Sequence, residues 1–92
     1  MIESIGHKGL KLLWEKGDSS KLPAVQVFKI RMILTLLNSA VEVEDINFPG
    51  ANLHTLKGDL AGFWAVKVNG NYRIIFRFKN ENAFDIDYLD YH

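Results

Sequence analysis

Two short stretches of the chain contain most of the side chains that can move a proton or hold an anion: "HTLKGD" at positions 54–59 and "DYH" at positions 90–92. Histidine gains and loses a proton near neutral pH, and lysine and arginine bind phosphate groups. Considered singly, these residues have ordinary interpretations, because an isolated histidine or a loop lysine is usually a solvated surface residue. Considered together with Arg73, they provide the acid, base and cations that cleavage of a phosphodiester bond requires.

The chemistry that this set fits is metal-free cleavage of RNA by its own 2′-hydroxyl group. A base removes the 2′ proton, cations hold the phosphate as negative charge grows on it, and an acid protonates the leaving 5′ oxygen, while a fixed group keeps the nucleotide in line. The residues that could share these roles are His54, Lys57, Arg73, Asp90, Tyr91 and His92. Their spacing leaves open which of His54, Asp90 and His92 is the base and which is the acid.

Length and composition predict one globular domain over residues 1–92. The chain is 48% hydrophobic and 12% aromatic, which is enough for a core, and it has no cysteine, which excludes disulfides and thiolate sites. The N-terminal sequence lacks the apolar stretch of a signal peptide, and the apolar segment 25–37 is interrupted by polar residues, so no membrane span is predicted. A cytoplasmic location is therefore expected.

The formal charge is balanced, with 11 basic and 11 acidic residues, but the charges are segregated along the chain. Six basic and two acidic residues fall between Lys8 and Arg31, and five basic and one acidic residue between Lys57 and Lys79. This distribution permits a cationic face on a neutral protein.

Helical periodicity dominates the first half, after a short strand predicted at residues 2–6. "LKLLWEK" predicts a helix ended by Gly17-Asp18, and Pro23 suits the first turn of a second helix that runs to about Asn38. "EVEDIN" predicts one more helical turn. The apolar stripe predicted for the second helix is Val25, Phe28, Met32, Ile33 and Leu36. Because that helix is also apolar at Val27, Ile30, Leu34 and Leu37, more than one of its faces is expected to be covered.

Alternating β-branched and aromatic residues dominate the second half. "FWAVKV", "YRIIFRF" and "AFDIDYL" predict a three-stranded antiparallel meander that follows the loop holding His54. A three-residue loop at positions 69–71 would pair Val68 with Tyr72, Val66 with Ile74, and Trp64 with Phe76. The predicted fold class is α+β, with the helices on one face of a small antiparallel sheet and cations on the other. Those cations are Lys67, Arg73 and Arg77.

The run "LHTLKGDLAGFWAVKVNGNYRIIF" followed by "DYH" resembles the HigB-type toxins of the RelE/ParE superfamily, and "IGHKGLKLLWEKG" extends the resemblance over nearly the whole chain. The resemblance implies a RelE-like fold and a ribosome-dependent endonuclease that cuts mRNA in the ribosomal A site. It implies catalytic roles for His54, Lys57, Asp90, Tyr91 and His92, with Arg73 on the phosphate. Asn71 would contact a base, and Lys67 and Arg77 would bind the substrate.

The resemblance also implies partners: a helix-turn-helix antitoxin of the HigA type, in a heterotetramer that binds operator DNA through the antitoxin, and the 70S ribosome carrying mRNA. An alternative from the same superfamily is a non-catalytic toxin of the ParE kind, which binds DNA gyrase. The complete catalytic set favours the nuclease, because gyrase binding would not require it.

A divalent metal site is a rival interpretation of the acidic C-terminal region. Its ligands would be Asp85, Asp87, Asp90, His54 and His92, and strand alternation would put Asp85 and Asp87 on one face. We favour a metal-free mechanism without a cofactor, because Lys57 and Arg73 belong to the resemblance and supply the cations.

The final "LDYH" leads to a specific expectation. Strict alternation would separate Tyr91 from Asp90 and His92, so the last strand is expected to end or twist near Leu89. The residues after it would then pack beside His54 and Arg73.

Overall fold

The computed structural model describes residues 1–90, so Tyr91 and His92 lie outside the described residues. It contains helices α1 (Lys8–Lys16) and α2 (Val27–Ser39) and strands β1 (His54–Thr55), β2 (Trp64–Asn69), β3 (Tyr72–Lys79) and β4 (Asn82–Asp90). Short 3-10 turns occur at Ala24–Gln26, Val43–Ile46 and Gly58–Leu60. Two helices and a four-stranded antiparallel sheet confirm the α+β class. Over residues 1–90, the helices are too short and too polar to cross a membrane.

Helix α1 begins and ends at residues that satisfy its free backbone groups. The Nδ1 atom of His7 accepts hydrogen bonds from the N–H groups of Gly9 at 3.1 Å and Leu10 at 3.2 Å, as an N-cap does. At the other end Gly17 adopts φ +69° and donates its N–H to the carbonyl of Leu13. The predicted end of this helix is therefore confirmed.

Helix α2 buries a different stripe from the predicted one. Its buried residues are Ile30, Ile33, Leu34 and Leu37. Val25 and Phe28, which the predicted stripe included, are 86% and 85% exposed. Two apolar stripes overlap on this helix, so spacing alone does not identify the inner one. Val25 also lies in the preceding 3-10 turn, whose tighter winding changes the direction of its side chain relative to α2.

The sheet has the order β1-β2-β3-β4, with every neighbouring pair antiparallel. The predicted pairs of Val66 with Ile74 and Trp64 with Phe76 are confirmed. The predicted pair of Val68 with Tyr72 is wrong, because Tyr72 pairs with Asn69 and the register shifts between Lys67 and Asn69. This β-bulge adds a residue to β2, which leaves a two-residue turn with Gly70 at φ +54°.

A second β-bulge interrupts β4 at Asp85, which adopts φ +53°. Ile75 pairs with Asp87 whereas Arg77 pairs with Phe84, so β4 has an extra residue between these pairs. Strict alternation from buried Ala83 would have directed Asp85 and Asp87 into the core. The bulge instead brings Ile86 into the core, where it is fully buried.

Two short segments differ from the sequence-based prediction at the edges of the sheet. His54 and Thr55, predicted to lie in a loop, form β1 and pair with Ala65 and Trp64 of β2. Residues 2–6 make only isolated parallel bridges to β4, from Ile2 to Ala83 and from Ile5 to Ile86. Both segments are too short for a period-2 pattern to be detected.

The main core lies between the helices and one face of the sheet. It joins side chains of α1 and α2 to Val66, Val68, Ile74 and Phe76 of the strands. The opposite surface, the outer face, carries the predicted basic residues together with apolar ones. It holds a small apolar cluster of Leu56, Ala65 and Ile75, with Leu60, Phe63 and Leu89 packed against it. The 56–63 loop covers this part of the outer face.

Candidate active site

His54 is positioned at the β1 edge of the outer face. It pairs with Ala65, a member of the outer-face cluster, and directly paired residues project to the same side of a sheet. Its Nδ1 lies 2.6 Å from the carbonyl oxygen of Asn52, which adopts φ +51°. A carbonyl oxygen can only accept, so Nδ1 carries the hydrogen and the neutral ring holds its lone pair on Nε2. Nε2 is thus the proton-accepting atom of this side chain.

Lys57 lies in the loop that follows β1. Its neighbour Leu56 is anchored in the outer-face cluster and donates its N–H to the carbonyl of Phe63 at 2.9 Å. The next residue, Gly58, adopts φ +69° and starts a 3-10 turn. Lys57 itself is exposed. The exposed side chain of Lys57 is therefore attached to a backbone segment that is held on both sides.

Lys67 and Arg73 form a directly opposed pair in the middle of the sheet. Lys67 lies two residues from Ala65 and therefore shares the outer face with His54. Arg73 is half-buried, and its Nη1 donates to the carbonyls of Gly70 at 2.9 Å and Tyr72 at 3.0 Å. The guanidinium is thus oriented toward the β2–β3 turn. His54, Lys67 and Arg73 therefore lie on one face of the sheet.

The other two predicted substrate contacts lie at different ends of β3. Asn71 is exposed in the turn before β3, close in sequence to Arg73. Arg77 is four residues further along the strand, roughly 13 Å from Arg73. Its guanidinium carbon lies 4.8 Å from the centre of the Phe63 ring, and its Nε lies 3.8 Å from Oδ2 of Asp85. Arg77 therefore contacts the edge of the apolar cluster and the bulge of β4.

Asp90 and His54 lie on the two opposite edge strands of the sheet. Strand β4 extends to Asp90, which pairs with Tyr72 and lies one residue beyond Leu89, near which the strand was expected to end or twist. Strands β1 and β4 are opposite edges of the sheet, three strand spacings or roughly 14 Å apart. Asp90 pairs with Tyr72 on the helix-covered side, whereas Arg73 pairs with Leu89 of the outer-face cluster, so the register places Asp90 on the opposite face from Arg73 as well as at the opposite edge from His54. The expected positions of Tyr91 and His92 lie outside the described residues.

The rival metal set is not assembled among residues 1–90. His54 is separated from the aspartates by the width of the sheet, and Asp85 contacts Arg77 at the bulge. Oδ1 of Asp87 accepts a hydrogen bond from the N–H of Tyr88 at 2.8 Å. Within the described part of the chain, no three side chains of His, Cys, Asp or Glu are grouped so that they could hold a metal ion.

Sequence reasoning missed a cluster of side chains on the helix-covered side of β4. The hydroxyl of Tyr88 donates to Oε1 of Gln26, and its ring stacks on Tyr72 with centroids 5.2 Å apart and an interplanar angle of 9°. The His7 ring contacts Tyr88 edge-on at 5.4 Å. Burial, followed by the nearby Tyr72 and Asp90, raises the pKa of Tyr88 to about 12. The sequence could not predict these contacts, since Gln26 and Tyr88 are 62 positions apart.

Two helices packed on one face of a four-stranded antiparallel sheet, with basic side chains on the other face, define a small α+β protein. The crystal structure of YafQ from E. coli strain BL21(DE3) has the same fold, with a TM-score of 0.58 over 95% of this chain and 87% of the YafQ chain. The sequences are 18% identical. That similarity establishes the fold.

A family model identifies the chain more narrowly. The model described as a HigB-like toxin, a RelE-like toxin of the type II toxin–antitoxin system HigB, matches residues 3–92. The curated Endoribonuclease HigB of Proteus vulgaris is 46% identical over 92 residues, which is 100% of both chains. The chain belongs to the HigB-like family of type II toxins. The predicted family is therefore confirmed.

Proposed function

We propose that this HigB-like toxin is an endoribonuclease that enters the ribosomal A site and cleaves mRNA during translation. Membership of the toxin family and full-length similarity to an endoribonuclease support the activity. The observation that carries the proposal is the outer face, where His54, Lys67 and Arg73 share one surface of the sheet. A flat cationic surface with a proton acceptor at its edge suits an RNA strand better than a small molecule, which would need an enclosing cavity.

The proposed reaction is attack by the substrate's own 2′-hydroxyl group on the adjacent phosphorus. A base takes the 2′ proton, the 2′ oxygen bonds to phosphorus, and the bond from phosphorus to the 5′ oxygen breaks. An acid then protonates that oxygen. The products are a 2′,3′-cyclic phosphate and a 5′-hydroxyl group. This route needs no added water and no cofactor, provided that cations stabilise the charge on the phosphate.

The structure supports a division of these roles among residues of the chain. His54 can accept a proton through Nε2, because its Nδ1 is bonded to the Asn52 carbonyl. Arg73 and Lys57 are the proposed phosphate ligands, Lys67 and Arg77 the proposed contacts to the RNA backbone, and Asn71 a contact to a base. Asp90, Tyr91 and His92 complete the proposed site, and the acid is one of Asp90 and His92 if His54 is the base.

The partners follow from the toxin family. An antitoxin partner is part of the family description. We propose that it is a helix-turn-helix protein of the HigA type, and that the toxin–antitoxin complex is a heterotetramer that binds operator DNA. We also propose one toxin domain over residues 1–92, since the main core extends from Leu10 to Ile86. The site of action would be the cytoplasm, where translating ribosomes are found.

Mapping of mRNA 5′ ends after induction of the toxin without antitoxin tests this function. New 5′ ends should appear within translated reading frames, should carry a 5′-hydroxyl group, and should disappear when initiation of translation is blocked. A Lys57→Ala protein induced to the same level is the control for the stress of overexpression. Products with a 5′-phosphate and a 3′-hydroxyl group would contradict 2′-hydroxyl attack. Intact mRNA with inhibited DNA supercoiling would favour the gyrase alternative.

A further inference from the structure

Three side chains with planar groups form a row across the outer face, at the end of the sheet near the β3–β4 turn. Arg77 of β3 pairs directly with Phe84 of β4, and directly paired residues project to the same side of a sheet. Phe63 immediately precedes β2, and the register of β2 with β3 places it opposite Arg77 on the other side. The guanidinium carbon of Arg77 lies 4.8 Å from the centre of the Phe63 ring. We name Phe63, Arg77 and Phe84 the aromatic row.

The backbone next to the aromatic row holds Phe63 in place and leaves room for the guanidinium. Phe63 donates its N–H to the carbonyl of Leu60 at 3.0 Å, and its own carbonyl accepts the N–H of Leu56 at 2.9 Å. A Cβ atom at Gly62 would lie 3.9 Å from Cζ of Arg77, so the guanidinium also lies close to the backbone at Gly62. The guanidinium is therefore restrained before any ligand binds, which reduces the entropy lost on binding.

The charge and exposure around Arg77 suit a nucleobase. Nε of Arg77 lies 3.8 Å from Oδ2 of Asp85, and that carboxylate offsets part of the positive charge that would attract a phosphate. A nucleobase is uncharged, and its face stacks on aromatic rings and on guanidinium planes. The side chain of Arg77 is 44% exposed, and Phe63 and Phe84 are half-buried, so a ligand can reach all three. The N–H groups at the end of the guanidinium remain for the RNA backbone.

The aromatic row begins beside a proposed phosphate ligand. The carbonyl of Phe63 is bonded to Leu56, the residue before Lys57. Along β3, Arg77 lies roughly 13 Å from Arg73. At about 3.4 Å per nucleotide of a stacked strand, this distance spans about four nucleotides, and it spans fewer when the strand is extended. An RNA strand cleaved near Lys57 and Arg73 can therefore reach the row with a base a few nucleotides from the cut.

We propose that the aromatic row is a binding site for one unpaired base of the mRNA, on the 3′ side of the cleaved bond. This inference rests on the proposed function, which brings the mRNA across the outer face. Bases on the 5′ side of the A site are paired with the tRNA in the P site, whereas bases on the 3′ side are single-stranded and can stack. Because every base has a flat π surface, the site adds affinity without selecting a sequence.

A binding cycle between toxin and mRNA tests the proposal. Ribosomes are programmed with an mRNA that carries a 2′-deoxy group at the scissile nucleotide, which blocks 2′-hydroxyl attack, and the dissociation constant of the toxin is measured. An abasic nucleotide is then placed at successive positions 3′ of the cut. At one of these positions the loss of the base should weaken wild-type binding about five- to tenfold, the lower end of the range for stacking on a protein. Replacement of that base by any other should change binding little.

Variants of the aromatic row complete the cycle. Arg77→Lys keeps the charge but removes the planar group, and Phe84→Leu removes a ring but keeps an apolar side chain. Each should bind intact mRNA about five- to tenfold more weakly than wild type, and the abasic nucleotide should weaken its binding little further. Phe28→Leu and Arg31→Lys are the matched controls, since Phe28 is 85% exposed and Arg31 is exposed on α2, on the helix-covered side. Both should bind as wild type does.

The possible results distinguish this inference from the proposed function. Wild-type toxin that neither binds programmed ribosomes nor cleaves their mRNA would overturn the proposed function, and this inference with it. If wild type cleaves unmodified mRNA but binds intact and abasic mRNA equally, the proposed function stands and the base site is overturned. Weak binding by Arg77→Lys without any effect of the abasic nucleotide would also overturn it, because the row would then contact the ribosome instead of the mRNA.

Discussion

The two faces of the sheet are built from the same strands, yet they differ in packing and in charge. On β3, Ile74 and Phe76 are fully buried under the helices, whereas Arg73 before them and Arg77 after them lie on the outer face. Among residues 1–90, the main core joins 16 buried residues and the outer-face cluster three, so most of the packing described lies on the helix side. The outer face can therefore change its side chains at a smaller cost to folding than the helix-covered face. A surface of that kind is free to carry chemistry.

The largest expected effect is on the helix-covered face. Phe76→Ala removes a fully buried ring from the main core and should lower the free energy of unfolding by about 3–5 kcal/mol. Ile75→Ala, in the next residue, removes a side chain that is 3% exposed but belongs to the outer-face cluster. Ile75→Ala should lower the free energy of unfolding by about 2 kcal/mol, near the lower limit for truncation of a buried side chain, because the side chains of a small cluster can close around the gap. Urea unfolding of both variants measures the difference.

Equal losses of unfolding free energy in Phe76→Ala and Ile75→Ala would contradict the difference in packing between the two faces of the sheet. The outer-face cluster would then be as important for stability as the main core, and substitutions around it could not be interpreted through catalysis alone.

The next effect is on cleavage, from the cations of the outer face. Lys57→Ala and Arg73→Ala should each slow mRNA cleavage by about 10²–10³, because each removes a positioned charge from the growing oxyanion. Lys57 is exposed, so its loss should change the free energy of unfolding by less than about 0.5 kcal/mol. Arg73→Ala should cost about 1 kcal/mol more, since its bonds to the carbonyls of Gly70 and Tyr72 are lost.

Lys79→Ala is the matched control for both, because Lys79 is exposed at the far end of the same strand as Arg73. It should retain cleavage and stability. A large fall in thermal stability with Lys57→Ala would show that Lys57 supports the loop, and the phosphate ligand would have to be sought elsewhere.

Tyr88, on the helix-covered side of the sheet, should make the free energy of unfolding depend on pH in the alkaline range. The phenol has a pKa of about 12 when folded and about 10 when unfolded. Below a pH of about 10 the Tyr88 phenol is protonated in both the folded and the unfolded state, so its contribution to stability is fully present. Between about 10 and 12 the unfolded state releases its proton first, so the free energy of unfolding falls as the pH rises. In urea unfolding across that range, wild type should lose more stability than Tyr88→Phe; an equal loss would show that Tyr88 has an ordinary pKa.

Sequence reasoning succeeded where a local rule decides the structure. The left-handed C-cap at Gly17 and the register of Val66 with Ile74 follow from glycine chemistry and from strict alternation. It failed at the pairing of Val68 and at Asp85, because a β-bulge shifts the register at each of these places and a bulge depends on how the completed sheet packs.

Only part of the arrangement of the predicted site residues could be inferred from the sequence. His54, Lys67 and Arg73 do share a face. The separation of His54 from Asp90 follows from the order of the strands, which places β1 and β4 at opposite edges. That order could not be read from the sequence, since a two-residue strand such as His54–Thr55 carries no alternation. The hydrogen bond between Gln26 and Tyr88 could not be inferred from the sequence either, because it depends on how the start of α2 packs against β4.

The smallest expected effect is at the contact between Arg77 and Asp85. Their nearest atoms are 3.8 Å apart, and the side chains are 44% and 57% exposed. Solvent screens such a pair, so Asp85→Asn should change the free energy of unfolding by less than about 0.5 kcal/mol. Asparagine also tolerates the φ of +53° that the bulge requires, whereas Asp85→Ala should cost about 1 kcal/mol more through backbone strain. Urea unfolding of the two variants at low and high salt separates charge from conformation. A large, salt-dependent loss with Asp85→Asn would mean that electrostatics on the outer face stabilise the fold, and the contrast between the two faces would have to be redrawn.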